Sequence, residues 1–92
     1  MANGREKIEF ENDRVRVTRV ELGRREKPPL RTRKDRVIIW LTDSHHVRTE
    51  PNGKREEVRR KAGEVAWRGA SDHQVENLAD ARHEVIIVEL KK

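Results

Sequence analysis

Short segments of alternating apolar and polar residues run along the whole chain. Ile8 and Phe10 alternate with polar residues in the first segment, and Val15 and Val17 do so in the second. Because successive side chains of a strand point to opposite faces, this period of two is typical of half-buried β-strands. No segment carries the apolar stripe of an amphipathic helix between capping residues. The pattern predicts an all-β domain of about eight strands, folded as a small closed barrel or a double-sheet jelly roll.

The apolar positions change parity within the second segment. Val15 and Val17 occupy odd positions, whereas Val20 and Leu22 occupy even positions. One extra residue in a strand changes which positions, odd or even, point to a given face of the sheet. This switch therefore predicts a bulge or a bend near Arg19.

Residues 36–42 form the most β-prone segment of the chain. Its centre reads Val-Ile-Ile-Trp-Leu, and β-branched and aromatic residues favour strands. Continuous apolarity predicts burial on both faces of this strand. In a chain of 92 residues, one of these faces would be covered by a second sheet or by a second subunit. We therefore expect a homodimer.

A hairpin is predicted around Asn52 and Gly53. A two-residue type I′ turn needs positive φ at both of its central positions, and Asn-Gly is the pair that best supplies them. If these two residues form the loop, Val47 faces Val58 across the hairpin. His45 and His46 lie at the start of the same hairpin on opposite faces of one strand, and we expect both at the surface.

Composition narrows the range of functions. Charged residues make up 42% of the chain, with 22 Lys or Arg, 17 Asp or Glu, and a formal net charge of +5. The basic residues are spread out and mixed with acidic ones, and Phe10, Trp40 and Trp67 are the only aromatic residues. Since a single-stranded nucleic acid needs aromatic side chains to stack on, nucleic-acid binding is not favoured. A basic module that binds nucleic acid or protein stays open as an alternative.

The chain has no cysteine, which excludes a disulfide framework, a thiolate metal site and a cysteine nucleophile. No apolar run of a secretory signal follows the first residues. The longest apolar run, residues 37–41, is too short to span a bilayer. We expect a cytoplasmic protein without membrane association, with a flexible N-terminus at residues 1–6 and a single domain over residues 7–92.

Residues 63–77 form the most informative stretch of the sequence. Gly63 can adopt a turn conformation that other residues resist, and the strand after it would place Val65 and Trp67 on one face. A Gly-Ala-Ser-Asp turn follows, and the next strand carries His73 and Asn77. This order of glycine, strand, turn, histidine and asparagine four residues later resembles the second conserved motif of the cupins. We expect His73 to point into a cavity and Asn77 to form hydrogen bonds within a turn or loop.

The resemblance implies a small single-domain cupin barrel, of a kind that usually forms dimers. The first cupin motif carries His-x-His and a later glutamate, which bind a divalent metal together with the histidine of the second motif. Here Arg31 and Arg33 occupy the two histidine positions, and the glutamate position falls on Val37 or Ile38. Arginine stays protonated and has no lone pair to offer a metal. Only His73 remains of the four ligands, so we expect no metal and no other cofactor.

The two arginines suggest a different ligand. Because Arg31 and Arg33 are two residues apart, they would project from one face of a strand. If this face lines the barrel, the charges need water at the mouth, a bound anion, or a carboxylate partner such as Asp35, Glu76 or another acid. Two guanidinium groups can hold a carboxylate or a phosphate through paired hydrogen bonds.

The leading hypothesis is therefore a small-molecule-binding protein that uses no metal. Arg31 and Arg33 would hold an anionic ligand, His73 would donate or accept a hydrogen bond, and Trp40 or Trp67 would form an apolar wall. The alternative is a metal-dependent cupin enzyme whose site is rebuilt from His73 and other histidines. The sequence identifies no reaction, and it favours a binding role over an enzymatic one.

Overall fold

The computed structural model describes residues 5–91, and these contain strands, turns and loops but no helix. The all-β prediction is confirmed. The strands are β1 (Arg5–Glu11), β2 (Val15–Leu22), β3 (Arg31–Arg33), β4 (Arg36–Trp40), β5 (Ser44–Thr49), β6 (Arg55–Arg60), β7 (Val65–Arg68), β8 (Ser71–Asn77) and β9 (His83–Leu90).

The strands form two antiparallel sheets. One sheet has five strands in the order β1-β2-β9-β4-β7, and the other has four in the order β3-β8-β5-β6. A core of Trp40, Val85 and Ile87 lies on the inner side of the five-stranded sheet, with Val20 and Ile38 packed against it. This is the double-sheet arrangement that the alternating pattern predicts. The radius of gyration is 12.5 Å, close to the value of about 13 Å expected for a compact chain of this length.

Strand β4 separates the inner and outer sides of the five-stranded sheet. Arg36 and Trp40 point inward and are buried, whereas Val37 and Ile39 point outward and are half-buried. The neighbouring β7 continues the outer side with Trp67, which pairs with Val37 and is 56% exposed. Only one face of this apolar strand is therefore covered by the second sheet.

The bulge predicted near Arg19 is not present in β2. This strand pairs with β9 without interruption from Val15 to Leu22, and the register shift lies in β1, between Ile8 and Phe10. The parity switch has another cause, since apolar residues occupy both faces of β2. Val15 lies on the outer side of the sheet, and Leu22 faces the core.

The hairpin between β5 and β6 has a longer loop than predicted. The Gly53 N–H donates to the Glu50 carbonyl oxygen (2.8 Å), and the Glu50 N–H donates to the Lys54 carbonyl oxygen (2.9 Å). Gly53 has a φ of 88°. A three-residue loop that ends in a left-handed glycine is a common hairpin connection. The loop therefore contains Pro51 as well as Asn52 and Gly53.

The longer loop moves the hairpin register by one residue. Val58 pairs with His46, and Val47 pairs with Glu57, so the predicted pairing of Val47 with Val58 is wrong. Proline favours the first central position of a turn because its φ is fixed near −65°. Pro51 is the signal that the two-residue prediction overlooked.

At the N-terminus, β1 begins at Arg5, two residues before the predicted start of the domain. Arg5 pairs with Glu21, and Glu6 pairs with Val20. The rest of the predicted flexible segment, residues 1–4, lies outside the described residues. Residues 5–91 include no helix that is long and apolar enough to cross a bilayer.

Candidate functional site

A pocket of about 110 Å³ lies between the two sheets. Its apolar lining includes Ile38, Trp40, Val85 and Ile87 from the inner side of the five-stranded sheet. Eight charged or imidazole-bearing residues also line it: Arg5, Glu6, Arg31, Arg33, Arg36, His46, His73 and His83. An apolar cavity with a few convergent polar groups is the usual form of a small-molecule site.

Arg31 and Arg33 project from the same face of β3, as the sequence predicts, and both line the pocket. Both form ion pairs with Glu6 of β1. Arg33 is 8% exposed and its Nη2 donates to Glu6 at 2.9 Å, while Arg31 is exposed. A carboxylate of the protein thus bridges the predicted anion clamp. Neither Asp35 nor Glu76, the two acids named from the sequence, pairs with these arginines among the described residues.

His73 lies on β8 opposite Arg31, with its side chain in the pocket and 8% exposed. Burial, followed by the nearby positive charges of Arg36, Arg48 and Arg33, lowers its pKa to about 4. His73 is therefore neutral at pH 7. A neutral imidazole can donate one hydrogen bond and accept another.

The two tryptophans occupy opposite sides of the five-stranded sheet. Trp40 is buried and lines the pocket, and the Arg60 guanidinium lies 4.9 Å from the centre of its ring. Trp67 does not line the pocket, so its predicted role as an apolar wall is wrong. It pairs with Val37, whose side chain points outward. Ala66 and Arg68, the neighbours of Trp67 on β7, point inward.

Arg36 is the most deeply buried charged residue of the pocket, with 1% exposure. Its Nη1 donates to the carbonyl oxygens of Lys34 (3.1 Å) and Gly69 (3.0 Å). Within residues 5–91, no carboxylate forms an ion pair with it. Burial, followed by repulsion from Arg48 and Arg33, lowers the pKa of Arg36 to about 10, while the Glu89 carboxylate, which forms no ion pair with it, opposes this shift. The group therefore still carries its charge at pH 7.

Three neighbouring arginines, unlike Arg36, form ion pairs with carboxylates. Arg33 pairs with Glu6 at 2.9 Å, Arg48 pairs with Glu50 at 3.3 Å, and Arg68 pairs with Glu56 at 3.6 Å. The four guanidinium groups lie close to one another, since the charges of Arg48, Arg33 and Arg68 all lower the pKa of Arg36. Arg36 is the member of this group without a carboxylate partner among the described residues.

Two of the three guanidinium nitrogens of Arg36 lack hydrogen-bond partners in the described part of the chain. Nε and Nη2 have no hydrogen-bond partner within residues 5–91. Arg36 itself lines the pocket. Nε and Nη2 form an edge that can hold both oxygens of a carboxylate.

Two further histidines line the other end of the pocket. His46 and His83 are 7% and 5% exposed, and their ring centres lie 5.6 Å apart in an edge-to-face arrangement. The Ser44 hydroxyl contacts Nδ1 of His46 at 2.7 Å and Nδ1 of His83 at 3.1 Å. Burial lowers the pKa of His46 to about 3 and also lowers that of His83. Both imidazoles are neutral at pH 7.

Comparison with solved structures identifies the architecture. A cupin domain from Bordetella pertussis superimposes with a TM-score of 0.90 at 20% identity, over 98% of this chain and 95% of that one. An RmlC-like cupin family protein with a double-stranded β-helix fold, from Methanocaldococcus jannaschii, gives a TM-score of 0.72 at 16% identity, over 97% and 82% of the two chains. The chain has the cupin fold.

A double-stranded β-helix protein from Klebsiella pneumoniae gives a TM-score of 0.76 at 12% identity, over 97% of this chain and 77% of that one. No family model matches the sequence, and no curated protein matches it either. At these identities the shared cupin fold is what the comparisons establish.

The interior of this cupin fold shows no metal site among residues 5–91. No group of three or more His, Asp or Glu side chains is arranged there to hold a metal ion. His46 and His83 are turned toward Ser44 through Nδ1, and His73 lies near the arginines. Arg31 and Arg33 also line the pocket, and arginine has no lone pair to offer a metal cation.

Three pocket residues were missed or misplaced from the sequence. Arg36 has the same parity as Ile38 and Trp40, so its inward direction could have been predicted. His46 was expected at the surface, but it shares an inner face with Ser44 and is buried. His83 begins β9 two residues before the core residue Val85, and the same period of two would have placed it in the barrel. Only His45 of the predicted surface pair is half-exposed, beside Glu57.

Proposed function

We propose that the pocket of this cupin fold binds a small molecule through a carboxylate or a similar anionic oxygen group. The observation that supports the proposal is the buried charge of Arg36, which has no carboxylate partner among the described residues. A buried charge without a partner costs several kcal/mol in desolvation. A bound anion at Nε and Nη2 would remove most of this cost and would form two charge-assisted hydrogen bonds.

The chemistry of the pocket supports an anion rather than a cation. Arg33, Arg36 and Arg48 surround neutral His73 and depress its pKa, which indicates a positive potential at this end of the pocket. His73 can add one hydrogen bond to the same ligand. Trp40 and the neighbouring aliphatic residues would cover an apolar body.

Arg31 and Arg33 have a more indirect part in this proposal than the sequence predicts. Because Glu6 bridges them, an anion would reach them only if the Glu6 carboxylate moved aside. We therefore assign the main contact to Arg36. The predicted clamp of Arg31 and Arg33 stays a prediction.

Calorimetric titration of the purified protein with acetate, propanoate and inorganic phosphate tests the proposal. We expect saturable binding of at least one of these anions. Replacing Arg36 with glutamine should weaken it by about 10- to 100-fold, since a hydrogen-bonded charged partner contributes roughly 1.5 to 3 kcal/mol. The matched control is Arg59→Gln, because Arg59 has an exposed side chain and does not line the pocket. Equal affinities of wild type and Arg36→Gln would contradict the proposal.

We also propose that a second copy of the chain covers the outer side of the five-stranded sheet. Register places a continuous set of apolar residues there: Phe10, Val17, Val37, Ile39, Val65, Trp67, Ile86 and Val88. Exposed apolar patches of more than a few hundred Å² are uncommon on monomers. Arg19 on this side already pairs with Glu9 and Glu84. A second copy matches these properties, because it offers an identical apolar face and no new charge to be compensated.

Trp67→Glu is expected to separate this dimer. Trp67 is 56% exposed in the single chain, and a carboxylate at its place would be desolvated in the interface at a cost of several kcal/mol. Light scattering coupled to size exclusion should give the mass of two chains for the wild type and of one chain for the variant. Leu30→Glu is the control, since Leu30 is 49% exposed but lies outside this face. A wild-type mass of one chain at tens of micromolar would refute the interface.

Binding of nucleic acid or of another protein by the basic surface stays an alternative, and the cytoplasmic location stays a prediction. A metal-dependent enzyme is the less favoured alternative, since no metal-binding group of side chains exists within the part of the chain that the structure describes.

A further inference from the structure

We infer that ligands enter the pocket through the seam where β1 of one sheet faces β3 of the other, and that Glu6 closes this entrance as a latch on Arg31 and Arg33. An incoming anion opens the latch by taking the place of the Glu6 carboxylate on the two guanidinium groups. The use of this entrance by an anion rests on the proposed function. The entrance and its latch rest on separate observations.

The barrel has two seams, because no strand pairing joins its two sheets among the described residues. The edge strands are β1 and β7 in the five-stranded sheet, and β3 and β6 in the other sheet. Ion pairs between side chains connect these edges. Glu6 of β1 contacts Arg31 and Arg33 of β3, and Glu56 of β6 contacts Arg68 of β7 at 3.6 Å. One seam therefore lies between β1 and β3, and the other lies between β6 and β7.

The pocket reaches one of these seams. Its lining includes Glu6 of β1, both arginines of β3, and Pro28 and Pro29 of the loop that precedes β3. No residue of β6 or β7 lines it, although both strands lie wholly within the described residues. A molecule that enters the pocket between edge strands would therefore pass between β1 and β3.

The two sides of this entrance are held differently. On the β3 side, Gln74 Nε2 donates to the Pro28 carbonyl oxygen at 3.0 Å, and proline has a φ fixed at about −65°. On the β1 side, the strand pairs only with β2 among the described residues, and all of its residues are exposed. A register shift between Ile8 and Phe10 interrupts this pairing. Since a bulge disrupts the ladder locally, residues 5–8 form the side that can move.

Glu6 joins the movable side to the fixed side. Its Oε2 accepts a hydrogen bond from Arg33 Nη2 at 2.9 Å, and its Oε1 accepts one from Arg31 Nη2 at 3.0 Å. The Glu6 side chain is 28% exposed, so water reaches these ion pairs. Ion pairs in contact with water are weak and are screened by salt. The bridge therefore keeps the seam closed on average and yields to a competing anion.

The exposure of the arginines falls from this entrance inward. The Arg31 side chain is 47% exposed and the Arg33 side chain 8%, and Arg36 is 1% exposed. After burial and the charge of Arg48, the charge of Arg33 also lowers the pKa of Arg36, which places Arg33 near Arg36. Each guanidinium group is a partner for an oxygen anion. A carboxylate that replaces Glu6 would thus meet arginines from the mouth inward to Arg36.

Acrylamide quenching of Trp40 fluorescence measures the opening of this entrance without any anion. Trp40 lines the pocket and is 3% exposed, so acrylamide must enter the pocket to reach it. Trp67→Phe leaves Trp40 as the single tryptophan and keeps an apolar residue on the outer side of the sheet. Acrylamide is smaller than benzene, which a cavity of about 150 Å³ holds. The Trp67→Phe protein is the parent of all variants in this experiment.

We expect Glu6→Gln to raise the quenching constant of Trp40 about three- to fivefold, the effect of losing one partly exposed ion-pair bridge. Arg31→Gln should raise it less, because Glu6 then still contacts Arg33. Sodium chloride at about 1 M should also raise the constant of the parent, since salt screens exposed charges. The Arg31→Gln and salt measurements decide the question where Glu6→Gln does not fold.

The matched control is Glu56→Gln, which removes the ion pair with Arg68 across the other seam. No residue of the two strands at that seam lines the pocket, so this variant should have the quenching constant of the parent. Equal constants for Glu6→Gln, Arg31→Gln and the control would overturn the entrance.

Titration of the same proteins with propanoate separates this inference from the proposed function. Increased quenching in Glu6→Gln, with no propanoate binding by any of the proteins, would support the entrance and refute the anion-binding function. Propanoate binding with unchanged quenching would refute the entrance and leave the anion-binding function intact. If both proposals hold, Glu6→Gln should bind and release propanoate faster than the parent, by the same factor of about three to five.

Discussion

Replacement of Asn77 by leucine is expected to lower the free energy of unfolding by about 3 to 5 kcal/mol, because each buried polar group left without a partner costs roughly 1 to 3 kcal/mol. Asn77 has 0% exposure and lies at the end of β8. Leucine has a similar size, so the expected loss comes from hydrogen bonds and not from a cavity.

The Asn77 amide connects three segments of backbone. Its Nδ2 donates to the carbonyl oxygens of Gly23 (2.9 Å), Ala81 (2.9 Å) and Leu22 (3.3 Å). Its Oδ1 accepts from the N–H of Ala79 at 2.9 Å. Leucine would leave these groups without the amide, in a region from which water is excluded.

Urea denaturation followed by circular dichroism measures this loss. Asn77→Asp should lose at least as much stability as leucine at pH 7, since it keeps the acceptor for the Ala79 N–H but turns a buried carboxylate oxygen toward three carbonyl oxygens. Asn12→Leu is the matched control, because Asn12 also accepts backbone hydrogen bonds, from Arg14 and Val15, but is exposed. We expect the control to cost about 1 kcal/mol or less. Equal losses at both positions would show that burial of the amide is not the cause.

Asn77 also shows how well local order predicts local structure. The position of an asparagine four residues after His73 predicts hydrogen bonds in a loop, and the structure confirms them. The turn at Gly63 is confirmed in the same way by a φ of 93°. Both predictions depend on backbone geometry within a few residues. The period of two likewise predicts the all-β architecture, because it reports burial strand by strand.

Errors arise where partners are distant in sequence. Period two gives correctly that Trp67 and Val65 share a face, but it does not say which face is the interior. Because both sides of the five-stranded sheet are apolar, the sequence alone cannot separate them, and the predicted position of Trp67 beside the pocket is wrong. The same limit applies to Arg31 and Arg33, whose partner Glu6 is 25 residues from Arg31. Which acid neutralises these arginines depends on how β1 of the five-stranded sheet lies against β3 of the other sheet, and no local pattern records it.

Replacement of Arg36 by methionine should stabilise the ligand-free protein by about 1 to 2 kcal/mol, although it removes a fully buried side chain. Methionine keeps most of the aliphatic volume and removes a charge whose desolvation costs several kcal/mol. It also removes the repulsion from Arg48 and Arg33, which lowers the pKa of Arg36. Against this stands the loss of hydrogen bonds to Lys34 and Gly69, which contribute about 0.5 to 1.5 kcal/mol each.

Thermal and urea unfolding without added anions, followed by the same measurements in propanoate, would test this expectation. The methionine variant should be more stable than the wild type in anion-free buffer, and only the wild type should gain stability as propanoate is added, since a ligand stabilises the state that binds it. Arg68→Met is the control, because Arg68 also points inward but is paired with Glu56. Its replacement leaves a carboxylate without a partner and should give no gain. If Arg36→Met were less stable than the wild type in anion-free buffer, the charge of Arg36 would already be compensated within the fold. This result would contradict the proposal that Arg36 binds an anion.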